Sequence, residues 1–484
     1  MRLPVVIHTT GAFLGYFGLT YLAPLLVSLY YGEHRDAAGF LATGVASGVL
    51  GYAMTRGQRT RTEDLRRVEG LAIVAFSWIL LAGSAAVPFV VAGLGPIDAM
   101  FESMSGLTTT GATVFRDFGD FGRGIFFWRA LCHWLGGMGV IALFVAVLPR
   151  LGIGGRQLFF AEAPGPTDEK LTPQIRKTAA ALWTVYAGLT AAQVIALVAV
   201  GMPVFDSICN AMATLAAGGF SPNPTSIAGY NNPAAEWIVI IFMFLAGANF
   251  ALHYRTLRGE LTVLPRDEEF RAYVAIVGVS VLLLVLFLAP EMPSLADRIR
   301  HGAFQALSII TTTGFASVDF QLWNEQSKMV LLVLMFIGGC AGSASGGPKV
   351  VRQVLIARYT LIELRRTLHP RGVLPVKLGG RVVPDDVMRS VLVFFLFYLL
   401  VFAVCTVTVS ALGLDLVSAI TASIACLGNI GPGFNAVGPM ANFADLHPVS
   451  KVVLTAAMWI GRLEVLTVLV LLRPEVWRMA RLRG

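Results

Sequence analysis

Ser105-Gly-Leu-Thr-Thr-Thr-Gly111-Ala-Thr, Ala213-Thr-Leu-Ala-Ala-Gly-Gly219-Phe-Ser, Ser308-Ile-Ile-Thr-Thr-Thr-Gly314-Phe-Ala and Ala425-Cys-Leu-Gly-Asn-Ile-Gly431-Pro-Gly align without a gap around one glycine. The glycines recur with a loose period of about 100 residues, and a recurring unit sets the architecture before any single residue is weighed. Each copy closes a moderately apolar segment rich in Ser, Thr and Ala, near 97–110, 205–218, 298–313 and 415–430. These segments are too short to cross a bilayer, and each is expected to be a half-helix that dips in and ends in an irregular turn.

Outside the four copies, apolar runs long enough to cross lie near 8–31, 37–55, 70–93, 126–149, 178–201, 235–257, 271–290, 327–357, 387–412 and 450–472. The order span, half-helix, glycine, span therefore holds four times, after two extra N-terminal spans. Composition agrees. The chain has 484 residues, 56% of them hydrophobic and 14% charged, with mean hydropathy +0.71. So few charges cannot keep that much apolar surface in water, and bilayer spans are the solution. No basic leader with a small-residue cleavage site opens the chain, so the first run is expected to be a retained span.

The net charge of +8 is spread over short loops and does not form one basic domain, which argues for membrane topology and against nucleic acid. Arg56, Arg59, Arg61, Arg66 and Arg67 precede the third span. Arg150, Arg156, Lys170, Arg176 and Lys177 follow the fourth, and Arg255, Arg258, Arg266 and Arg271 follow the sixth. The heaviest group, Lys349 to Arg389, follows the eighth, and Arg473, Arg478, Arg481 and Arg483 follow the last. The other loops carry only scattered bases, such as Arg116, Arg123 and Arg298. The positive-inside rule then puts the arginine-rich loops and both termini in the cytoplasm, and the half-helices enter from the outer face. Arg129 and Lys328, near outer span ends, are expected to snorkel to headgroups.

One Thr-Thr-Gly run reads as ordinary small-residue helix packing. Four in the same topological slot read as an ion filter. A dehydrated cation needs oxygen ligands, and backbone carbonyls supply them without a full charge. A carbonyl-lined strand needs conformations that glycine adopts cheaply, and four half-helix C-termini add partial negative charge. Nine positions before the glycine stand Glu102, Asn210 and Gln305, with Ala422 breaking the rule in the fourth copy. Thirteen before it, Asp98 and Asp206 are expected to cap the first two half-helices; the corresponding residues are His301 and Ser418. The expected fold is an all-α polytopic membrane protein. Four pseudo-repeats of helix, pore helix, filter loop and helix surround a central pore, preceded by two extra N-terminal transmembrane helices. Its segments are 1–69 (the extra helices), 70–155, 156–260, 261–365 and 366–484 (the four repeats).

The four motifs in order resemble the filter loops of the Trk/Ktr/HKT potassium transporters, closest to the bacterial TrkH type, over nearly the whole chain. The resemblance implies that Gly111, Gly219, Gly314 and Gly431 are selectivity glycines. It implies that Thr109, Thr110, Gly218, Thr312, Thr313, Asn429 and Ile430 line a filter that holds potassium. Glycine in all four loops is the potassium-favouring pattern of that family.

Within the eighth span, Gly338-Gly-Cys-Ala-Gly-Ser-Ala-Ser-Gly-Gly347 interrupts an apolar helix, and such backbone survives at membrane depth only where it lines a cavity. The resemblance makes this stretch a gate below the filter, with Gly338, Gly339, Gly342, Ser343, Ser345, Gly346 and Gly347 its small residues. Pro348 stands where a nucleotide-binding Walker loop needs lysine, which excludes that reading. Arg462, in the middle of the last span, is expensive there and is read as functional by default; the rival is a salt bridge to Glu464 or to another helix. Residues two apart do not face each other on a helix. The resemblance places this arginine in the pore under the filter. It also implies a homodimer and a cytoplasmic TrkA-like nucleotide-binding regulatory ring, with the basic loop after Lys349 as a docking surface.

The five cysteines lie in apolar stretches with no C-x-x-C, so no disulfide framework is expected. The seven histidines lack metal-ligand spacing, and no Rossmann or Gly-x-Ser-x-Gly motif appears. No organic cofactor and no enzyme activity are expected. The reading is potassium uptake across the bacterial inner membrane through a gated filter. Its alternative is a sodium- or proton-coupled symporter that alternates access, which calls for midplane carboxylates and inverted repeats.

Overall fold

The computed structural model describes residues 1–56, 67–146, 171–369, 372, 374–471, 473–475 and 477. The bases Arg59, Arg61, Arg66, Arg150, Arg156, Lys170, Arg478, Arg481 and Arg483, and the boundary at 155/156, lie outside the described residues. Among the described residues six helices are long and apolar enough to cross a membrane, and seven if one bent pair counts as a span. The chain is a multi-pass, all-α membrane protein.

The first two spans are Leu3–Tyr30, with a 3-10 turn at Leu19–Tyr21, and His34–Arg56. They meet through glycine. A Cβ on Gly51 would sit 2.6 Å from the Gly11 carbonyl oxygen, and one on Gly44 would sit 3.1 Å from that of Gly18. Small residues let two backbones touch where the lipid supplies no hydrophobic drive for association.

Four helix pairs follow, each with a short helix between its members. Arg67–Val91 and Arg123–Ala146 bracket Pro96–Leu107, and Leu171–Ala199 and Pro233–Ala246 bracket Val204–Leu215. Glu268–Phe287 and Glu325–Met335 bracket Leu295–Ile310, and Asp385–Ala411 and Pro448–Arg462 bracket Leu416–Leu427. Local chemistry sets several starts. Asn232 accepts from the amides of Ala234 and Ala235 just before Pro233, and Asn324 accepts from Ser327 N at 2.9 Å. Side-chain caps satisfy amides that have no intrahelical partner.

Two of the expected half-helix caps are corrected. Gly95 and Pro203 occupy the cap positions of the first and second half-helices, without a side-chain bond. Asp98 lies within the first turn and pairs with Lys451. The side-chain caps belong to the third and fourth half-helices instead. Ser294 accepts from Asp297 N, and Asp415 accepts from Ser418 N. The bond to Ser418 lowers the Asp415 carboxyl below its ordinary value.

The sixth expected span is not one helix. Pro233–Ala246 and Phe250–Leu257 are bent by 100° about Gly247–Asn249. The eighth is likewise two helices, Glu325–Met335 and Val350–Leu368. Lys349, counted from sequence among the loop bases, is buried and donates to the Ser345 carbonyl. Beyond Leu368 a small antiparallel hairpin pairs Lys377–Leu378 with Arg381–Val382. Val376 and Val383 pack there against Leu355, Val387 and Met388, so the basic loop is anchored on an apolar patch. The five cysteines are free and buried.

Candidate ion pathway

Every half-helix stops four residues short of its glycine, at Leu107, Leu215, Ile310 and Leu427. The turn that follows is the same in all four. The amide preceding the glycine reaches back to the half-helix: Thr110 N to Ser105 O (2.8 Å), Gly218 N to Ala213 O (2.8 Å), Thr313 N to Ser308 O (2.9 Å) and Ile430 N to Ala425 O (2.8 Å). One residue earlier, Thr109, Ala217, Thr312 and Asn429 donate to Gly106, Thr214, Ile309 and Cys426 at 2.9–3.3 Å. These two bonds make a Schellman motif, whose left-handed position glycine usually fills. Here it holds Thr109 (φ 52), Ala217 (φ 55), Thr312 (φ 57) and Asn429 (φ 56). A positive φ at a β-branched threonine is a true outlier. Four such residues in equivalent places mark a conformation imposed by the surroundings.

The glycines themselves have φ of 83, 83, 77 and 102, and what they face is decisive. A Cβ on Gly111 would lie 2.1 Å from the Gly218 carbonyl oxygen. One on Gly219 would lie 2.0 Å from that of Thr313, and one on Gly314 would lie 2.0 Å from that of Ile430. One on Gly431 would lie 2.7 Å from that of Thr110. Each loop thus abuts the next, and the fourth returns to the first. The four turns close a ring of backbone in which only hydrogen fits beside the neighbouring carbonyl.

The four strands are braced differently. In the first, the hydroxyls of Thr108 and Thr110 meet at 2.8 Å, and in the third those of Thr311 and Thr313 do the same. Asn429 of the fourth donates to Thr110 Oγ1 and to Met458 O, both at 3.0 Å. The second strand has only Ala216, Ala217 and Gly218 there. Gly136 and Gly461 back the first and fourth half-helices, since a Cβ on them would sit 2.0 and 1.9 Å from the carbonyls of Leu107 and Leu427.

The polar half-helix residues hold the outgoing limbs of the turns. Glu102 accepts from Val114 N at 2.9 Å, and Gln305 donates to Ser317 at 3.4 Å. Asn210 donates to the Tyr230 hydroxyl at 3.1 Å. Where the fourth repeat has Ala422, the neighbouring Thr421 accepts from Phe434 N at 2.9 Å. Arg129 does not snorkel. It is buried, pairs with Glu102 at 2.7 Å, and stacks on Phe220 with 3.9 Å to the ring centroid. Lys328 is partly exposed and pairs with Glu325.

The Gly338–Gly347 stretch folds against the ring. Gly346 N donates to Thr312 Oγ1 at 2.6 Å, and a Cβ on Gly346 would lie 2.5 Å from the Gly428 oxygen. Gly338, Gly342 and Gly347 have φ of 82, 73 and 70. Ser343 donates to Cys340 O, and Ser345 N donates to Ser343 Oγ. The stretch also fills the break in the sixth span. Cys340 N donates to Gly247 O (2.9 Å), Phe250 N to Gly342 O (3.1 Å) and Ala344 N to Ala246 O (3.3 Å). Gly339 O receives Val350 N, while Glu269 accepts from Ala341 N and Val351 N at 2.7 and 3.0 Å. Two interrupted helices thus satisfy each other's free backbone groups, as membrane depth requires.

Arg462 reaches this stretch from the last span, donating from Nη1 to Ala344 O at 3.0 Å. Its Nε and Nη2 find no hydrogen-bond partner among the described residues. Glu464 is not its partner. The chain turns at Glu464 (φ 64), whose carboxylate takes both contacts from Arg352 at 2.8 and 2.7 Å.

Residues 35–478 match the family model TrkH, described as a cation transport protein. The chain belongs to the TrkH family. It is 40% identical to the Trk system potassium uptake protein TrkH of Escherichia coli K12, with 99% of this chain and 100% of that one covered. It is 39% identical to the protein of that name from Salmonella typhimurium over the same shares. The crystal structure of the potassium transporter TrkH from Vibrio parahaemolyticus superposes with a TM-score of 0.91. That match has 37% identity and covers 99% of this chain and all of that one. The relatives are transporters, and this chain is likewise no enzyme.

The four glycines aligned from sequence lie together in the structure. Sequence reasoning missed Ala217, because alanine carries no signal for a left-handed position. It also missed Ala344, which offers Arg462 only a main-chain oxygen, and His133, whose hydrogen bonds are likewise with backbone.

Proposed function

We propose that this chain is a potassium uptake protein of the bacterial inner membrane, passing the ion through a gated, carbonyl-lined filter. The observation that carries the reading is the closed ring, in which each filter glycine abuts the carbonyl before the next one. Thr109, Thr110, Gly111, Gly218, Gly219, Thr312, Thr313, Gly314, Asn429, Ile430 and Gly431 supply the cation's ligands in place of water. The half-helix C-termini behind them add partial negative charge. The names of the relatives, Trk system potassium uptake proteins, support potassium as the ion.

The Gly338–Gly347 stretch and Arg462 form the gate: a glycine- and serine-rich backbone under the ring, held in part by a fixed positive charge. Basic loops and both termini face the cytoplasm. The hairpin at Lys377–Val382 lies on that side and offers a footing for a TrkA-like regulatory ring, and the working unit is a homodimer. The repeats run 70–155, 156–260, 261–365 and 366–484.

Rubidium flux into liposomes holding the purified protein tests this. Downhill flux that follows its own gradient, prefers potassium and rubidium to sodium, and ignores imposed sodium or proton gradients is expected. Flux that tracks a sodium or proton gradient would replace the pore with a coupled transporter.

A further inference from the structure

The second strand of the ring is the one without a brace of its own. The first and third clamp themselves through paired threonine hydroxyls, and the fourth is tied by Asn429 to the first strand and to the last span. Ala216, Ala217 and Gly218 have no side-chain hydrogen-bonding group. Yet the second strand holds the same left-handed Ala217 and Gly219 as its counterparts.

The side chains that hydrogen-bond the backbone of the two residues after its glycine come from the first repeat. His133 and Arg129 lie one turn apart on Arg123–Ala146, so they share one helix face. Phe220 N, directly after the filter glycine, donates to His133 Nε2 at 3.2 Å. That bond fixes the ring as the tautomer bearing hydrogen on Nδ1, and Nδ1 then donates to Gly106 O at 2.8 Å. The imidazole lies over Phe220 with ring centroids 4.2 Å apart. It also occupies the space a side chain at position 218 would take, 2.5 Å from that Cβ. Arg129 reaches the next residue. Its Nη1 donates to Ser221 O at 3.4 Å, its Nη2 donates to Thr113 Oγ1 at 3.0 Å, and its Nε pairs with Glu102. Both side chains are buried.

We propose that His133 and Arg129 are positioning residues for ion selectivity, forming a clamp lent by the first repeat to the second filter strand, which lacks one of its own. This rests on the filter reading above. The imidazole joins the first half-helix to the residue after Gly219, and the guanidinium joins the first outgoing limb to the second. Together they set the spacing of adjacent quarters of the ring.

The test is the potassium-to-sodium permeability ratio, measured in reconstituted membranes for paired variants. His133→Gln keeps an acceptor near the Nε2 position and is expected to stay within about twofold of the parent. His133→Asn keeps only the Nδ1-side group, and the ratio is expected to fall about tenfold while unitary flux persists. Arg129→Lys keeps the charge opposite Glu102 but loses the planar fork that spans Thr113 and Ser221, and a comparable fall is expected. An unselective parent protein sinks the filter reading itself. A selective parent whose His133→Asn or Arg129→Lys variant keeps the parent's ratio overturns the clamp alone. If His133→Gln folds and neither of the others does, the pair is a folding element and the proposal is likewise overturned.

Discussion

Arg462 and Ala344 are joined by a single hydrogen bond of 3.0 Å from guanidinium to main-chain oxygen. Among the described residues the arginine is held by the interrupted stretch and by no acid. Glu464, the nearest carboxylate in sequence, is committed to Arg352 at 2.7 Å. On the proposed gate reading, a buried cation paired with no acid among the described residues raises the local potential and sets a barrier to any ion beside it.

Replacing this cation is therefore expected to ease passage. Arg462→Ala should raise rubidium flux several-fold at matched protein density. Flux equal to the parent would assign the side chain to packing alone.

Gly314→Ser puts a Cβ 2.0 Å from the Ile430 oxygen, at a residue with φ 77. The third and fourth strands must part to admit it. Reversal potentials should show about a tenfold loss of potassium-over-sodium discrimination, the effect of about 1.4 kcal/mol between the two ions. Unchanged ratios would remove Gly314 from the filter.

Glu102 and Arg129 form a buried pair, 0% and 2% exposed. Glu102→Gln leaves the guanidinium uncompensated and should cost about 3–5 kcal/mol. Thermal unfolding in detergent reads this as a clear drop in Tm. The double variant Glu102→Gln with Arg129→Met should recover part of the loss, and no recovery would mean the two do not act as a pair.

Asp415 caps the fourth half-helix, and its carboxyl is lowered by Ser418. The ionised cap therefore stabilises fully above the unfolded carboxyl value, and the gain fades as pH falls through the lower folded value. Asp415→Ala should cost about 1 kcal/mol at neutral pH, and Asp415→Asn much less. The parent's advantage over Asp415→Asn should fade in acid, while the gap between the two variants stays constant. Equal stability of all three proteins at pH 7 would show that the cap contributes nothing.

The repeat and its glycines were legible because the constraint lies in the backbone. A left-handed turn pressed against a carbonyl leaves one residue type, and the sequence then carries that residue four times. The break at Gly247–Asn249 was hidden for the opposite reason. Free groups there are satisfied by Cys340, Gly342 and Ala344, about ninety residues away, and the local signal is confined to the Asn249 cap on Ala251 N. Arg129 looked like a snorkelling residue because its partner Glu102 lies on another helix, and spacing along one helix cannot reveal it. The caps were misplaced because Asp98 and Asp206 have the right chemistry one turn too late, behind Gly95 and Pro203.

The ring is assembled from a single polypeptide, and that has a consequence for how it can change. In an assembly of four identical subunits every substitution strikes all quarters at once, so small adjustments are out of reach. Here each quarter is encoded separately, and a change at one leaves three untouched. On the proposed filter reading, ion preference then shifts in quarter steps.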